Sequence, residues 1–437
     1  MLAVAAVSRL LSGTPVTPAM VFVLIGVLIG PLVLDGVDVS PEGAAVRTLA
    51  EATLTIVLFS DAARIKLAVL RREYGFPLRL LGIGLPLTIV AGGLLAAGLF
   101  NELAIAEALV LAVVLAPTDA ALGQAVVADR RLPSRIRQGL NVESGLNDGI
   151  CVPLLLIVLA SAEIESDLAP GRHAFAIILE EIGYGLVGGV TAGVLVSAVI
   201  VFAGRRGIIT GPWRQVVPVA GAALAYGLAA GLGGSGFIAA FVAGGVFGGL
   251  VGRESDEAGR LSEEIGDLLD GSTFVVFGAV LLGTSLTHID WRIAAYAVLS
   301  LTVVRILPVA IAMLGTKAGR PTVAFAGWFG PRGLASIVFT VIVVQEAQLP
   351  HTDTILLVSY TTVGLSVLAH GITAAPLVNR YARWYQAVSD RAFPAMEGAP
   401  LHPGRGPRGA FRGAGADREA APAPPALDAN HERTGRI

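Results

Sequence analysis

The chain has 437 residues, 54% of them hydrophobic and only 15% charged, with a formal net charge of −2. A soluble domain carries about 25% charged residues, so the composition excludes an ordinary globular protein. The charge balance gives no sign of a nucleic-acid partner, and the single cysteine, Cys151, excludes an intramolecular disulfide and any Cys-rich metal site.

Apolar runs of about 20 residues recur along the chain, each long enough to cross a hydrocarbon core. The fold class they predict is an all-α polytopic membrane protein with about thirteen transmembrane helices. The first apolar stretch, Leu2–Leu11, is too short to cross, so it is either a partial helix or the end of a span that starts upstream. It lacks the basic start of a cleaved signal. The next spans are Pro18–Leu34, Ala44–Ser60, Phe76–Phe100 and Ile105–Val127. Ser144–Ala160, Ala174–Phe202, Val216–Leu232 and Phe237–Val251 follow. The last four are Ile265–Ser285, Ile293–Leu314, Val323–Val344 and Thr354–Val378.

Basic residues collect on alternate connections, at Arg64, Lys66, Arg71 and Arg72, then Arg130, Arg131, Arg135 and Arg137, then Arg205, Arg206 and Arg214. Acids such as Glu102, Glu163, Glu165 and Asp353 mark the opposite side. The positive-inside rule makes the basic side cytoplasmic and places the C-terminus there. We therefore expect a transmembrane domain over residues 1–391. Residues 392–437, rich in Pro, Gly, Ala and Arg, are expected to form a disordered cytoplasmic tail.

Two spans are interrupted. The fifth carries Ala116-Pro117-Thr118-Asp119, where the missing N–H of Pro117 predicts a broken helix. The twelfth carries Gly327-Trp328-Phe329-Gly330-Pro331-Arg332-Gly333. Matching interruptions in two halves point to inverted repeats with two discontinuous helices and a site between them. The sixth span opens with Glu143, Ser144, Asn147 and Asp148. At helical spacing Ser144 and Asp148 share a face and offer a hydroxyl and a carboxylate, hard oxygen ligands for a small alkali ion or a proton. A helix start explains Glu143 and Ser144, because caps and early acids are common there. It does not explain Asp148, a full turn further in. An ionisable group at the centre of a bilayer costs roughly 2.5–3.5 kcal/mol, which makes it a functional candidate by default. Arg332 lies inside the second break and needs an anionic partner, and Arg305 in the eleventh span is a second intramembrane cation. Thr118 and Asp119 either cap the half-helix after Pro117 or contribute to the site.

Other features read as structural. Gly231-Leu232-Gly233-Gly234-Ser235-Gly236 fits a dinucleotide pattern but has no strand before it. Asp61 reads as a cap or a partner of Arg64, Glu51 as a possible vestibule residue, and Glu180, Glu181, Asp267 and Asp270 as helix-start acids. His370 is assigned no function. No nucleophile–base set and no metal-ligand histidine spacing occurs, so neither an enzyme nor a cofactor is expected.

PTDAALGQAV in span five, NVESGLNDG at span six and GWFGPRGLAS in span twelve, with LFSDAARI after span three, resemble the monovalent cation:proton antiporters of the NhaP/NHE-like branch. The resemblance covers about residues 15–380. It implies that Asp148 carries both the ion and the proton, and that Asn147 marks an Asn-Asp rather than an Asp-Asp branch. By the same resemblance Asp148, Ser144 and Thr118 hold the metal ion, Na+ or K+, with Asn147 and Asp119 beside them. Glu143 would pair with Arg332, and Arg305 would support them. The family often has Pro directly after the Thr-Asp, whereas Ala120 follows here. The implied protein exchanges Na+, K+ or Li+ for H+ across the cell membrane, as a homodimer in the bilayer. A single exchanging carboxylate makes the cycle electroneutral. A channel and an organic-anion transporter using Arg305 and Arg332 are the alternatives.

Overall fold

The computed structural model describes residues 16–34, 43–65, 75–165, 171–346, 349–389 and 397. Among them all regular secondary structure is helical. α1 is Pro18–Ile29, α2 Ala44–Arg64, α3 Gly75–Leu99, α4 Ile105–Val114 and α5 Gln124–Ala128. α6 is Ser134–Glu165, α7 Gly171–Arg205, α8 Gly211–Gly231 and α9 Gly236–Val251. α10 is Arg260–Leu282, α11 Trp291–Ala312, α12 Arg320–Trp328, α13 Leu334–Glu346 and α14 Thr352–Ser389. Among the described residues six helices are long and apolar enough to cross a membrane, and four shorter apolar helices accompany them. This is an all-α polytopic membrane protein. The expected first segment, Leu2–Leu11, lies outside the described residues.

The helix starts follow local chemistry. Thr17 precedes Pro18 and accepts the Met20 N–H at 3.4 Å, and Asp290 accepts the Ile293 N–H at 2.8 Å to open α11. A π-helical turn at Leu80–Gly84 interrupts α3 just before Pro86, whose missing N–H disturbs the ladder on that side. In lipid, helices gain little from hiding apolar surface and associate through close packing. α9 shows this, because a Cβ at Gly244 or Gly248 would collide with the carbonyls of Phe59 and Ala63 on α2. That contact fixes the end of α2 that carries Ser60 and Asp61.

Two boundaries differ from expectation in ways that matter. α6 begins at Ser134, not Ser144, so Glu143 and Ser144 sit nearly three turns inside it and cannot be its cap. α10 begins at Arg260, so Asp267 and Asp270 lie about two and three turns in rather than at a helix start. In both cases a polar first segment continues the helix beyond the apolar run that hydropathy detects.

Of the expected tail, 392–437, one residue is described. Glu397 is buried, and its carboxylate accepts from the Gly319 N–H at 2.8 Å and from the Thr322 hydroxyl at the start of α12. The other residues of 392–437 lie outside the described ones. Near the other end of α5, Arg131 holds the Asp129 carboxyl below its ordinary range through a 2.6 Å ion pair and also reaches Asn379 of α14 at 2.9 Å.

Candidate functional site

α4 ends at Val114 and α5 starts at Gln124; α12 ends at Trp328 and α13 starts at Leu334. The chain is unwound between them, as Pro117 and the glycines of the second break require. The two unwound stretches meet, with the Asp119 N–H donating to the Pro331 carbonyl at 2.8 Å. Each then caps a half-helix of the other. Arg332 donates through Nη1 to the carbonyls of Ala116 at 2.9 Å and Pro117 at 3.2 Å, just beyond the C-terminal end of α4. Asp119 accepts the Leu334 N–H at 2.9 Å, at the N-terminal end of α13, as well as the Ala121 and Leu122 N–H groups at 2.7 and 3.3 Å. A cation at one helix C-terminus and an anion at another N-terminus are both favoured by the exposed backbone groups there. Gly333 is needed for this, since a Cβ on it would overlap the Asp119 carboxylate.

α14 closes the second break from behind. The Ser366 hydroxyl oxygen accepts the Arg332 backbone N–H at 2.7 Å. His370 reaches the Trp328 carbonyl through Nε2 at 2.9 Å and Ser366 Oγ through Nδ1 at 3.2 Å. Nδ1 also lies 3.0 Å from the Ser366 carbonyl, so each ring nitrogen has a backbone carbonyl within reach. The histidine thus ties α14 to the end of α12, at a Trp328 carbonyl that also accepts the Gly330 N–H at 2.8 Å.

α6 crosses beside the first break. Ser144 donates to the Thr118 carbonyl at 2.5 Å, and Asn147 Nδ2 donates to Thr118 Oγ1 at 2.8 Å. Ser144 spends its only proton on that bond, so its lone pairs stay free to face a cation. Asp148 follows one turn after Ser144 and is 6% exposed. Its Oδ1 is buried and accepts no hydrogen bond. Such an oxygen is costly to bury unless a ligand or a proton occupies it.

Asp148 opens onto a cavity of about 510 Å3 that Asp119, Leu334, Phe274 and Ser60 also line. Its remaining charged lining is Asp61, Glu263, Asp267, Asp270 and Arg64. Arg64 pairs most closely with Glu263, at 2.6 Å, and lies 4.0 Å from Asp61. One cation thus faces several carboxylates, and the cavity as a whole attracts positive charge.

The geometry revises three expectations. Glu143 does not pair with Arg332. Its partner is Arg305 of α11, with Nη1–Oε1 at 2.6 Å and Nη2–Oε2 at 2.9 Å, both side chains 3% exposed. Glu143 and Asp148 are five residues apart, so they point to different sides of α6, and Glu143 faces α11 rather than the crossing. A Cβ on Gly330 would collide with the Arg305 guanidinium, which explains a glycine at that place in the break. Asp119, expected among the ion ligands, gives its two oxygens to backbone N–H groups. Asp61, Asp267 and Asp270, read as structural acids, line the cavity. The signal was present in the sequence: Glu263, Asp267, Asp270 and Phe274 recur at helical spacing and share one face of α10.

Two half-helix pairs crossing at a buried carboxylate define the class, a membrane transport protein with discontinuous helices. The comparisons place it further. Residues 1–380 match the family described as sodium/hydrogen exchanger, transmembrane, and the chain belongs to that family. It is 28% identical over 330 residues to a probable Na+/H+ antiporter of Schizosaccharomyces pombe, covering 70% of this chain and 42% of that one. It is 26% identical over 382 residues to the K+/H+ antiporter NhaP2 of a Shewanella species, covering 84% and 64%. It is 29% identical over 353 residues to the Na+/H+ antiporter NhaP of Pseudomonas aeruginosa, covering 75% and 79%. The chain therefore spans less than two thirds of the length of the first two relatives. Among solved structures it shares the fold of the sodium proton antiporter MjNhaP1 from Methanocaldococcus jannaschii, with a TM-score of 0.71 at 18% identity, over 85% of this chain and 96% of that one.

Proposed function

We propose that this protein exchanges a monovalent cation, Na+ or K+, for H+ by competition at Asp148. The observation that carries the reading is the unpartnered Oδ1 of that buried carboxylate, facing a cavity lined by acids. Asp148 holds either a proton or the cation. Ser144 adds its free lone pairs, and Thr118, fixed by Ser144 and Asn147, keeps the unwound backbone beside them. The unoccupied, charged carboxylate resists passage through a dry barrier, so the transport unit moves mainly when loaded. One carboxylate alternating between two monovalent ions gives an electroneutral cycle. Asp119, Arg332 and the Arg305–Glu143 pair hold the crossing and take no part in loading.

The rim pair Arg64–Glu263 lies on connections that the basic-residue pattern assigns to the cytoplasm, so the cavity corresponds to an inward-open state. We place the protein in the cell membrane as a homodimer with its C-terminal end in the cytoplasm, in line with that pattern and the family. Transport of an organic anion is disfavoured, because Arg305 is committed to Glu143 and Arg332 to backbone carbonyls, and neither lines the cavity.

The test is proton movement in everted vesicles on addition of Na+, K+ or Li+. Cation-dependent proton efflux that is lost in Asp148→Asn, with the variant still inserted and folded, supports the reading. Undiminished exchange by Asp148→Asn overturns it.

A further inference from the structure

α2 and α10 run antiparallel along the cavity. Their register is pinned at one end by Thr53 Oγ1 against Thr273 Oγ1 at 3.1 Å and at the other by Arg64 against Glu263 at 2.6 Å. Ser60 and Asp61 therefore lie level with Gly266 and Asp267, and Asp270 is about one turn further along α10. All of them line the cavity.

Ser60 is the informative residue. A helical hydroxyl in an apolar setting ordinarily donates back to the carbonyl one turn earlier. Thr53 and Thr55 on the same helix do so, to Leu49 and Glu51, at 2.6 Å each. Ser60 does not. It is 7% exposed, and its Oγ is buried without a hydrogen-bond partner although it borders the cavity. Asp270 Oδ1, also on the cavity wall, is buried and unpartnered as well. Asp61 lies against Gly145, where an added Cβ would stand 3.3 Å from its own Cβ, one turn before Asp148 on α6. Arg64 sits closest to Glu263, at 2.6 Å, and 4.0 Å from Asp61, so the hydroxyl and carboxylates facing this space form a hard-oxygen ligand set with one cation at its edge.

We propose that Ser60, Asp61 and Asp270 form a second cation site, in which a partly hydrated monovalent cation waits before it passes to Asp148. The site rests on the reading of Asp148 as the exchanging carboxylate. It raises the local cation concentration where the proton leaves, and it offsets the repulsion among these carboxylates while Asp148 is charged. Ser60 supplies a neutral ligand, so the site consists of more than an electrostatic field.

The experiment uses the full chain, purified and reconstituted. Ser60→Ala and Asp270→Asn are compared with the parent for cation-dependent exchange, and radiolabelled Na+ binding is measured on Asp148→Asn with and without Asp270→Asn. We expect both cavity variants to raise KM for Na+ about tenfold, the size of a typical coupling between two occupied sites, and to affect kcat less. We expect Asp148→Asn to keep Na+ binding that adding Asp270→Asn removes. An unchanged KM in Ser60→Ala overturns the site, since that variant deletes one oxygen, alters no charge and folds readily. A KM rise confined to Asp270→Asn and abolished by high choline chloride also overturns it, because a long-range field is then sufficient. Absence of Na+ binding by Asp148→Asn overturns it while leaving the exchange reading standing. Exchange by Asp148→Asn strikes the exchange reading instead.

Discussion

Replacing Glu143 by Leu removes one side of a two-bond ion pair in which both side chains are 3% exposed. Arg305 then keeps its charge in the interior with no alternative within reach. Its Nε already lacks a partner, and the backbone at Gly330 presses against the guanidinium and bars a swing. Breaking one side of a buried pair costs roughly 3–5 kcal/mol, whereas replacing both members by apolar residues of similar volume is often neutral or stabilising. Glu143→Leu and Arg305→Met should therefore each lower the melting temperature in detergent sharply, and the double variant should recover most of the loss. The assay is a double-mutant cycle read by thermal unfolding of purified protein, with Arg332→Met in place of Arg305→Met as the control cycle. The Arg305 cycle should show strong coupling and the Arg332 cycle much less, because Arg332 bonds carbonyls of the first break instead. A double variant as unstable as the sum of the singles refutes the pairing. Equal coupling in both cycles would return Glu143 to a position between the two arginines.

Gly333→Ala should abolish exchange and lower stability by about 1 kcal/mol or more, the usual cost of losing a helix cap, because its methyl displaces Asp119 from the start of α13; melting curves and vesicle transport check both effects. Ser144→Ala should weaken cation affinity more than it slows turnover, seen as a KM increase for Na+ at constant pH. Truncation after Ala399 should leave the melting temperature unchanged, whereas truncation after Ala395 should lower it, since only the second removes the Glu397 carboxylate from Gly319 and Thr322; equal melting curves would show that this contact contributes nothing. The end point of exchange should be indifferent to an imposed membrane potential, because moving one net charge would couple by about 2.3 kcal/mol per 100 mV. Proteoliposomes with and without a valinomycin-set potential decide that, and a potential-dependent end point would bring a second titrating group into the cycle.

The sequence by itself determined the class, the two interruptions and the residues that meet there. Pro117 and the glycines of the second break prevent helix locally, and long apolar runs with buried carboxylates announce a membrane interior at any fold. Asp148 stood out for the same local reason, as an acid too deep in its span to be a cap. What the tertiary structure decided is which charge satisfies which. Glu143 turned to Arg305 because of the way α6 and α11 are rotated against each other, a quantity that no spacing within one helix contains. Asp119 became a cap because the start of α13 arrives beside it, and that start lies far along the chain. The acids of α10 and the orphan hydroxyl of Ser60 face one cavity because α10 meets α2 in antiparallel register, on the helix that Gly244 and Gly248 let α9 press against. Helical periodicity fixes which residues share a face; the close contacts between helices fix what that face meets.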